Sequence, residues 1–102
     1  MKFNIIEDNL NLTDKDKKLV DKKVMEKLDK YLQDFSEDIK NANVRVKKIN
    51  RTGEYKVNFD MWLPGKEHIY ADEINHEYET ALTSLRNQVE RQIKEYKAEL
   101  SS

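Results

Sequence analysis

The chain has no cysteine, one proline (Pro64) and two glycines (Gly53 and Gly65) in 102 residues. Without cysteine there is no disulfide staple, no thiolate-ligated zinc and no thiol nucleophile. With so little glycine there is no glycine-rich loop to cradle a phosphate. No apolar run is long enough for a signal peptide or a membrane span, so the cytoplasm is the expected compartment and no membrane partner is expected. His68 and His76 fall on different predicted elements without HExxH-type spacing, and no metal site is expected. Asp72/Glu73 and Glu77/Glu79 read as common charge pairs rather than acid–base dyads, and Asp14, Asp16 and Asp21 lie in a predicted helix rather than a metal-binding loop. Neither an enzyme nor a cofactor is expected.

What the chain does have is charge. Charged residues make up 38% of it, yet 19 Lys and Arg against 20 Asp and Glu leave a formal net charge of −1. A uniformly basic coat for nucleic acid is therefore excluded. If RNA is bound, the positive charge must be segregated onto one face. A hydrophobic content of 37% supports one modest core, and residues 1–102 are expected to form a single domain.

Lys2-Phe3-Asn4-Ile5-Ile6-Glu7 reads as a strand broken by Asp8-Asn9. Thr13 is a good N-cap, and Asp14 and Asp16 complement the dipole of a helix running from about Asp14 to about Phe35. Its buried stripe would be Val20, Val24, Leu28, Tyr31, Leu32 and Phe35. Asn41-Ala42-Asn43 reads as a break. Val44, Val46 and Ile49 alternate with Arg45 and Lys47/Lys48, which predicts a half-buried strand, followed by a hairpin turn at Asn50-Arg51-Thr52-Gly53. Tyr55, Val57, Phe59 and Met61 then alternate with Lys56, Asn58 and Asp60 in a third strand. After the Pro64-Gly65 turn, Lys66 to Asp72 reads as a fourth strand, with Ile69 and Ala71 on one face and His68 and Tyr70 on the other. Asn75 is the expected cap of a final helix from Asn75 to Leu100. Its apolar residues Tyr78, Leu82, Leu85, Val89, Ile93, Tyr96 and Leu100 recur every three or four positions. The fold class that follows is α+β, in the order β-α-β-β-β-α, with two helices packed on one face of a four-stranded mixed sheet and a right-handed crossover through the first helix.

The first helix carries seven lysines. Lys23, Lys27 and Lys30 fall on one flank of the apolar stripe, where phosphates could approach without acidic neighbours. The interleaved Asp14, Asp16, Asp21, Glu26 and Asp29 also fit an ordinary solvated helix laced with ion pairs. In the final helix Arg86, Arg91, Lys94 and Lys97 span the solvent side around Glu90, and Arg91 is the best placed for a specific two-donor contact. A solvated surface describes this helix equally well. Trp62, beside the Pro64-Gly65 turn, could stack on a base if exposed; closing the edge of the core is the expected role.

Phe3-Asn4-Ile5, Asn9-Leu10-Asn11-Leu12-Thr13, Lys27-Leu28-Asp29-Lys30-Tyr31, and Ala81-Leu82 followed by Val89-Glu90-Arg91-Gln92-Ile93 carry a resemblance. In this order and spacing the chain resembles the bacterial ribosome hibernation-promoting factors and ribosome-associated inhibitors, the sigma-54 modulation protein family, over nearly its whole length. The resemblance implies a protein that sits in the mRNA and tRNA channel of the small ribosomal subunit, contacts its 16S-type rRNA through both helices, blocks the decoding region and holds idle ribosomes inactive. Matching basic positions are Lys17, Lys23, Lys27 and Lys30, then Arg91 and Lys97. The chain departs from the family at Gln88 and Glu95, where a lysine is frequent, at Glu79, where an aromatic is shifted to Tyr78, and by one extra residue in the first helix. Ending at Ser102, it reads as the short form without a ribosome-pairing domain, a monomer off the ribosome. A double-stranded-RNA-binding module and a protein–protein module that uses a sheet edge or face are the alternatives.

Overall fold

In a computed structural model of the chain, which describes residues 2–101, the alternating segments assemble into one sheet in the order β1-β2-β3-β4. β1 (Lys2–Asp8) runs parallel to β2 (Asn41–Ile49); β3 (Glu54–Leu63) and β4 (Glu67–Asn75) continue antiparallel. The order β-α-β-β-β-α and the mixed sheet are as expected. The strands are longer than expected. Asn41-Ala42-Asn43 is not a break: it opens β2, paired with Lys2-Phe3-Asn4, and Ala42 is buried between two exposed asparagines, so the alternation simply continues. β4 runs on to Asn75 because its ladder with β3 extends to the Tyr55–Asn75 pair. Asn75 therefore ends a strand instead of capping the helix, and its Oδ1 accepts from the Glu77 amide at 2.9 Å to start the turn into Tyr78–Ser101, the final helix. In the β2–β3 turn, Gly53 sits at φ 74°, where a side chain would strain the backbone, and its amide donates to the Ile49 carbonyl at 2.8 Å.

The first helix spans residues 14–32. Thr13 caps it with a full capping box, its Oγ1 accepting from the Asp16 amide at 3.1 Å while Asp16 Oδ2 accepts from the Thr13 amide at 3.2 Å. The helix is not uniform. Asp14–Val20 is α-helical, Asp21–Met25 is a π turn, Glu26–Asp29 is α-helical again and Lys30–Leu32 tightens to 3-10. The apolar spacing accounts for the wide turn. Val20, Val24, Leu28 and Leu32 are four residues apart, so on a regular helix each step would rotate the stripe by about 40° and the last residue by about 120°. One extra residue in a turn takes back about 100°. All four are then fully buried against the sheet. The helix ends at Leu32 rather than Phe35, whose amide bonds the Leu32 carbonyl in a turn and whose ring leans on Tyr96 with centroids 6.1 Å apart.

Leu82, Leu85, Val89, Ile93 and Tyr96 of the final helix meet the stripe of the first helix and the inward face of the sheet (Val44, Val46, Val57, Phe59, Met61, Ile69) in one core, so both helices lie on the same face. Each fully covered Leu, Ile or Phe contributes about 1.5–3 kcal/mol relative to exposure. Leu100 is 62% exposed and stands outside the core. Trp62 also departs from expectation. It is 58% exposed and stands on the open face of the sheet, since its position in β3 is odd with respect to Val57, Phe59 and Met61.

Candidate nucleic-acid interface

The two helices lie side by side, and an open groove runs between them, lined by Lys27, Lys30 and Tyr31 of the first and Arg86 and Glu90 of the final helix. The Tyr31 hydroxyl donates to the Glu90 carboxylate, fixing one helix against the other. Lys94 completes this junction, its Nζ 3.2 Å from Glu90 Oε1 and 5.3 Å above the Tyr31 ring. Arg86 reaches Glu90 with Nε at 4.0 Å and donates from Nη2 to Asn87 Oδ1 at 2.9 Å. The hydrogen bond from Tyr31, and after it that of Lys94, hold the Glu90 carboxyl below the usual carboxylate range, while Glu90 raises the Lys94 ammonium. Both are charged at neutral pH. Around this groove four cations, Lys27, Lys30, Arg86 and Lys94, face one carboxylate that is already engaged. The buried Arg86 Nε has no hydrogen-bond acceptor among the described residues.

The acid between the two groove lysines is withdrawn. Asp29, between Lys27 and Lys30, lies 3.2 Å from Lys40 Nζ, which also holds Glu37 at 2.6 Å. Lys40 is 2% exposed, and its ammonium is raised chiefly by the hydrogen bond to Glu37, whose carboxyl is lowered to about 2 by the same bond. Lys23, Lys27 and Lys30 are left without an ion-pair partner among the described residues. Lys23 sits one turn before Lys27, half-buried and outside the groove lining.

The remaining basic positions are placed differently. Lys17 lies 3.3 Å from Glu7 and ties the helix start to β1. Lys97 donates to the Tyr31 carbonyl at 2.7 Å and lies 3.3 Å from Asp34 Oδ1, so it closes the end of the first helix, where carbonyls lack helical partners. Arg91, midway between Val89 and Ile93, points outward, exposed and unpaired among the described residues. The flank of the final helix facing β4 carries glutamines. Gln92 Nε2 donates to the Tyr70 carbonyl at 2.6 Å and its Oε1 accepts from the Tyr70 amide at 3.2 Å. Gln88 Nε2 donates to the Asp72 carbonyl at 2.9 Å and to the Glu73 carboxylate. Gln88 thus serves the sheet edge. Sequence reasoning missed Tyr31 and Glu90 as organisers of the groove, and no local signal joins residues on two separate helices. It also missed Lys40, for which the i,i+3 spacing from Glu37 is a signal.

Among the described residues no helix is long and apolar enough to cross a membrane. The family model described as sigma 54 modulation protein / S30EA ribosomal protein matches residues 3–101. No curated protein matches the chain in sequence. Of solved structures, the N-terminal domain of Protein Y from Thermus thermophilus is similar with a TM-score of 0.76 and 23% identity, covering 94% of this chain and 99% of that one. A ribosomal subunit interface protein from Coxiella burnetii is similar with a TM-score of 0.71 and 20% identity, covering 96% and 99%. Both likenesses establish a common fold.

Proposed function

Because the chain belongs to the sigma 54 modulation protein / S30EA ribosomal protein family, whose members are ribosome-associated, we propose that it binds the small ribosomal subunit through the groove between its helices, occludes the mRNA and tRNA channel at the decoding region, and so holds the ribosome idle. The observation that carries this reading is the convergence of Lys27, Lys30, Arg86 and Lys94 from two helices on one groove, with Glu90 engaged by Tyr31 and Asp29 by Lys40. In a chain of net charge −1 this is the segregation that binding an RNA backbone requires. Lys23 extends the cationic line along the first helix and Arg91 extends it outward. Lys17 and Lys97 contribute to the field while anchoring the first helix. The chain acts as a monomeric, single ribosome-binding domain in the cytoplasm, by steric occlusion and without making or breaking covalent bonds.

Co-sedimentation with purified small subunits tests this directly. The expected result is saturable, salt-sensitive binding that competes with mRNA and inhibits translation in vitro. Failure to pellet with small subunits at low salt, or binding indifferent to mRNA, overturns the reading.

A further inference from the structure

The face of the sheet turned away from the helices has no part in the proposed groove, yet its side chains are ordered in rows across the strands. Trp62 stands opposite His68, Asp60 opposite Tyr70, and Arg45 opposite Asn58. Lys47 stands opposite Lys56. Rows on one face repeat about every 7 Å along a strand, so the face grades from an aromatic end to a cationic end over about 20 Å.

At the aromatic end the rings are held in place. Trp62 and His68 stack with centroids 4.4 Å apart and an interplanar angle of 15°. Asp60 hydrogen-bonds His68 and fixes it against the indole. Tyr70, 44% exposed, lies next along β4; its hydroxyl accepts from Asn58 Nδ2 at 2.8 Å and faces Asp72 Oδ2 at 3.4 Å. Asp60 and Asp72 are thus engaged with the rings, Asp8 lies 3.8 Å from Arg45, and Glu54, beside Lys56 on the same face, lies 3.9 Å from His76. A depression lined by Ile6, Asn43, Arg45, Asn58, Asp60, His68 and Tyr70 lies between the two ends. Its amides offer donors and acceptors of the kind that read base edges.

At the other end, like charges directly opposite one another destabilise a sheet. Lys47 and Lys56 are such a pair; Asp8 stands opposite Lys47 on β1 but turns to Arg45, and neither lysine is within ion-pair distance of an acid among the described residues. An anion laid between them relieves the repulsion. The patch carries two exposed aliphatic side chains, Ile6 in the depression and Ile74 opposite Lys56, outnumbered by polar and aromatic groups, which does not suit a dry protein interface. Flat exposed rings, amides and an unneutralised cation pair on one sheet suit unpaired nucleotides, whose bases stack and whose phosphates carry the charge.

From this arrangement we propose that the open sheet face is a second RNA-binding surface, specific for a short unpaired strand, with bases on Tyr70 and the Trp62–His68 stack and backbone phosphate at Lys47 and Lys56. It is independent of the helix groove.

Trp62 is the chain's only tryptophan, so its fluorescence reports on this site alone. Titration with a ten-nucleotide oligouridylate should quench it saturably. Tyr70→Ala should weaken the effect at least about tenfold, and Tyr70→Phe, which keeps the ring, should weaken it far less. The double variant Lys47→Glu/Lys56→Glu should also weaken it strongly, and it carries the test if Tyr70→Ala does not fold by circular dichroism. The triple variant Lys23→Glu/Lys27→Glu/Lys30→Glu should leave the quenching unchanged even where it abolishes small-subunit binding. The proposal is overturned by absence of quenching at millimolar oligonucleotide, by equal quenching with a duplex of the same length, by loss of quenching in the helix triple variant, or by a Trp62 signal that follows protein concentration without RNA, which would mark the face as a contact between copies.

Discussion

Tyr31 and Glu90, fifty-nine residues apart in the chain, are joined by a hydrogen bond from phenol to carboxylate that sets the two helices against each other at the floor of the cationic groove. Glu90 is held ionised below the usual carboxylate range by that bond and by Lys94. In the unfolded chain it protonates at about pH 4.3, so over the window below that value the unfolded state binds the extra proton and folding loses stability as pH falls. Glu90→Gln should therefore lose less stability than the wild type between pH 7 and pH 3, as read by denaturant midpoints at both values. Because it removes the one carboxylate that lines the groove among the described residues, it should bind small subunits at pH 7 at least as tightly as the wild type.

Reversing Lys23, Lys27 and Lys30 together to Glu should reduce small-subunit affinity by at least about a hundredfold with folding intact by circular dichroism. None of the three makes an ion pair within the described residues, so no ion pair is lost. Changing Asp14 and Asp21 to Lys is the control for location and should not weaken binding. A triple variant that is folded and inhibits translation at the wild-type concentration would show this flank to be solvated surface.

Salt should act steeply. If the four groove cations and Lys23 each meet a phosphate, the slope of log affinity against log salt should be about −4. A flat response between low and moderate KCl would identify docking on ribosomal protein instead of RNA.

Lys97 and Lys27 should separate stability from binding. Lys97→Ala removes the donor to the Tyr31 carbonyl and should cost about 0.5–1.5 kcal/mol of stability in urea melts. Lys27→Ala removes no internal bond and should leave the urea midpoint unchanged while weakening small-subunit binding.

Strand parity made most of the fold legible. Val57, Phe59 and Met61 announce which face of β3 is dry, and the same parity assigns Trp62 to the wet face, against the habit of burying tryptophan. Thr13 was legible as a cap because its chemistry is local. The lysines of the first helix were legible as a cationic flank, but not the withdrawal of Asp29 to Lys40, which depends on where the chain returns after Leu32. The π turn has a sequence trace in the strict four-residue spacing of Val20, Val24, Leu28 and Leu32. The glutamine contacts to β4 have none, since Gln88 and Gln92 resemble any polar helix surface.

The wide turn makes a prediction of its own. Deleting the exposed Lys22 would place the four apolar residues within a sector of about 80° on a regular helix, so the shortened chain should fold with stability within about 1 kcal/mol of the wild type. Amide exchange would then show α-helical protection through residues 20–26. Loss of cooperative unfolding in the deletion variant would show that the turn has a role beyond correcting phase.

The carboxamides of Gln88 and Gln92 occupy the middle of the β4 edge, taking the amide and carbonyl of Tyr70 and the carbonyl of Asp72 that a neighbouring strand would need. The outward groups of Phe3, Ile5 and Glu7 on β1 have no comparable cover among the described residues. The sheet therefore has polarity as a building block. Two copies meeting through their β1 edges would present only glutamine-covered strands outward, so association by strand pairing ends at two and cannot propagate into a fibre. A helix side chain here behaves as a chain terminator.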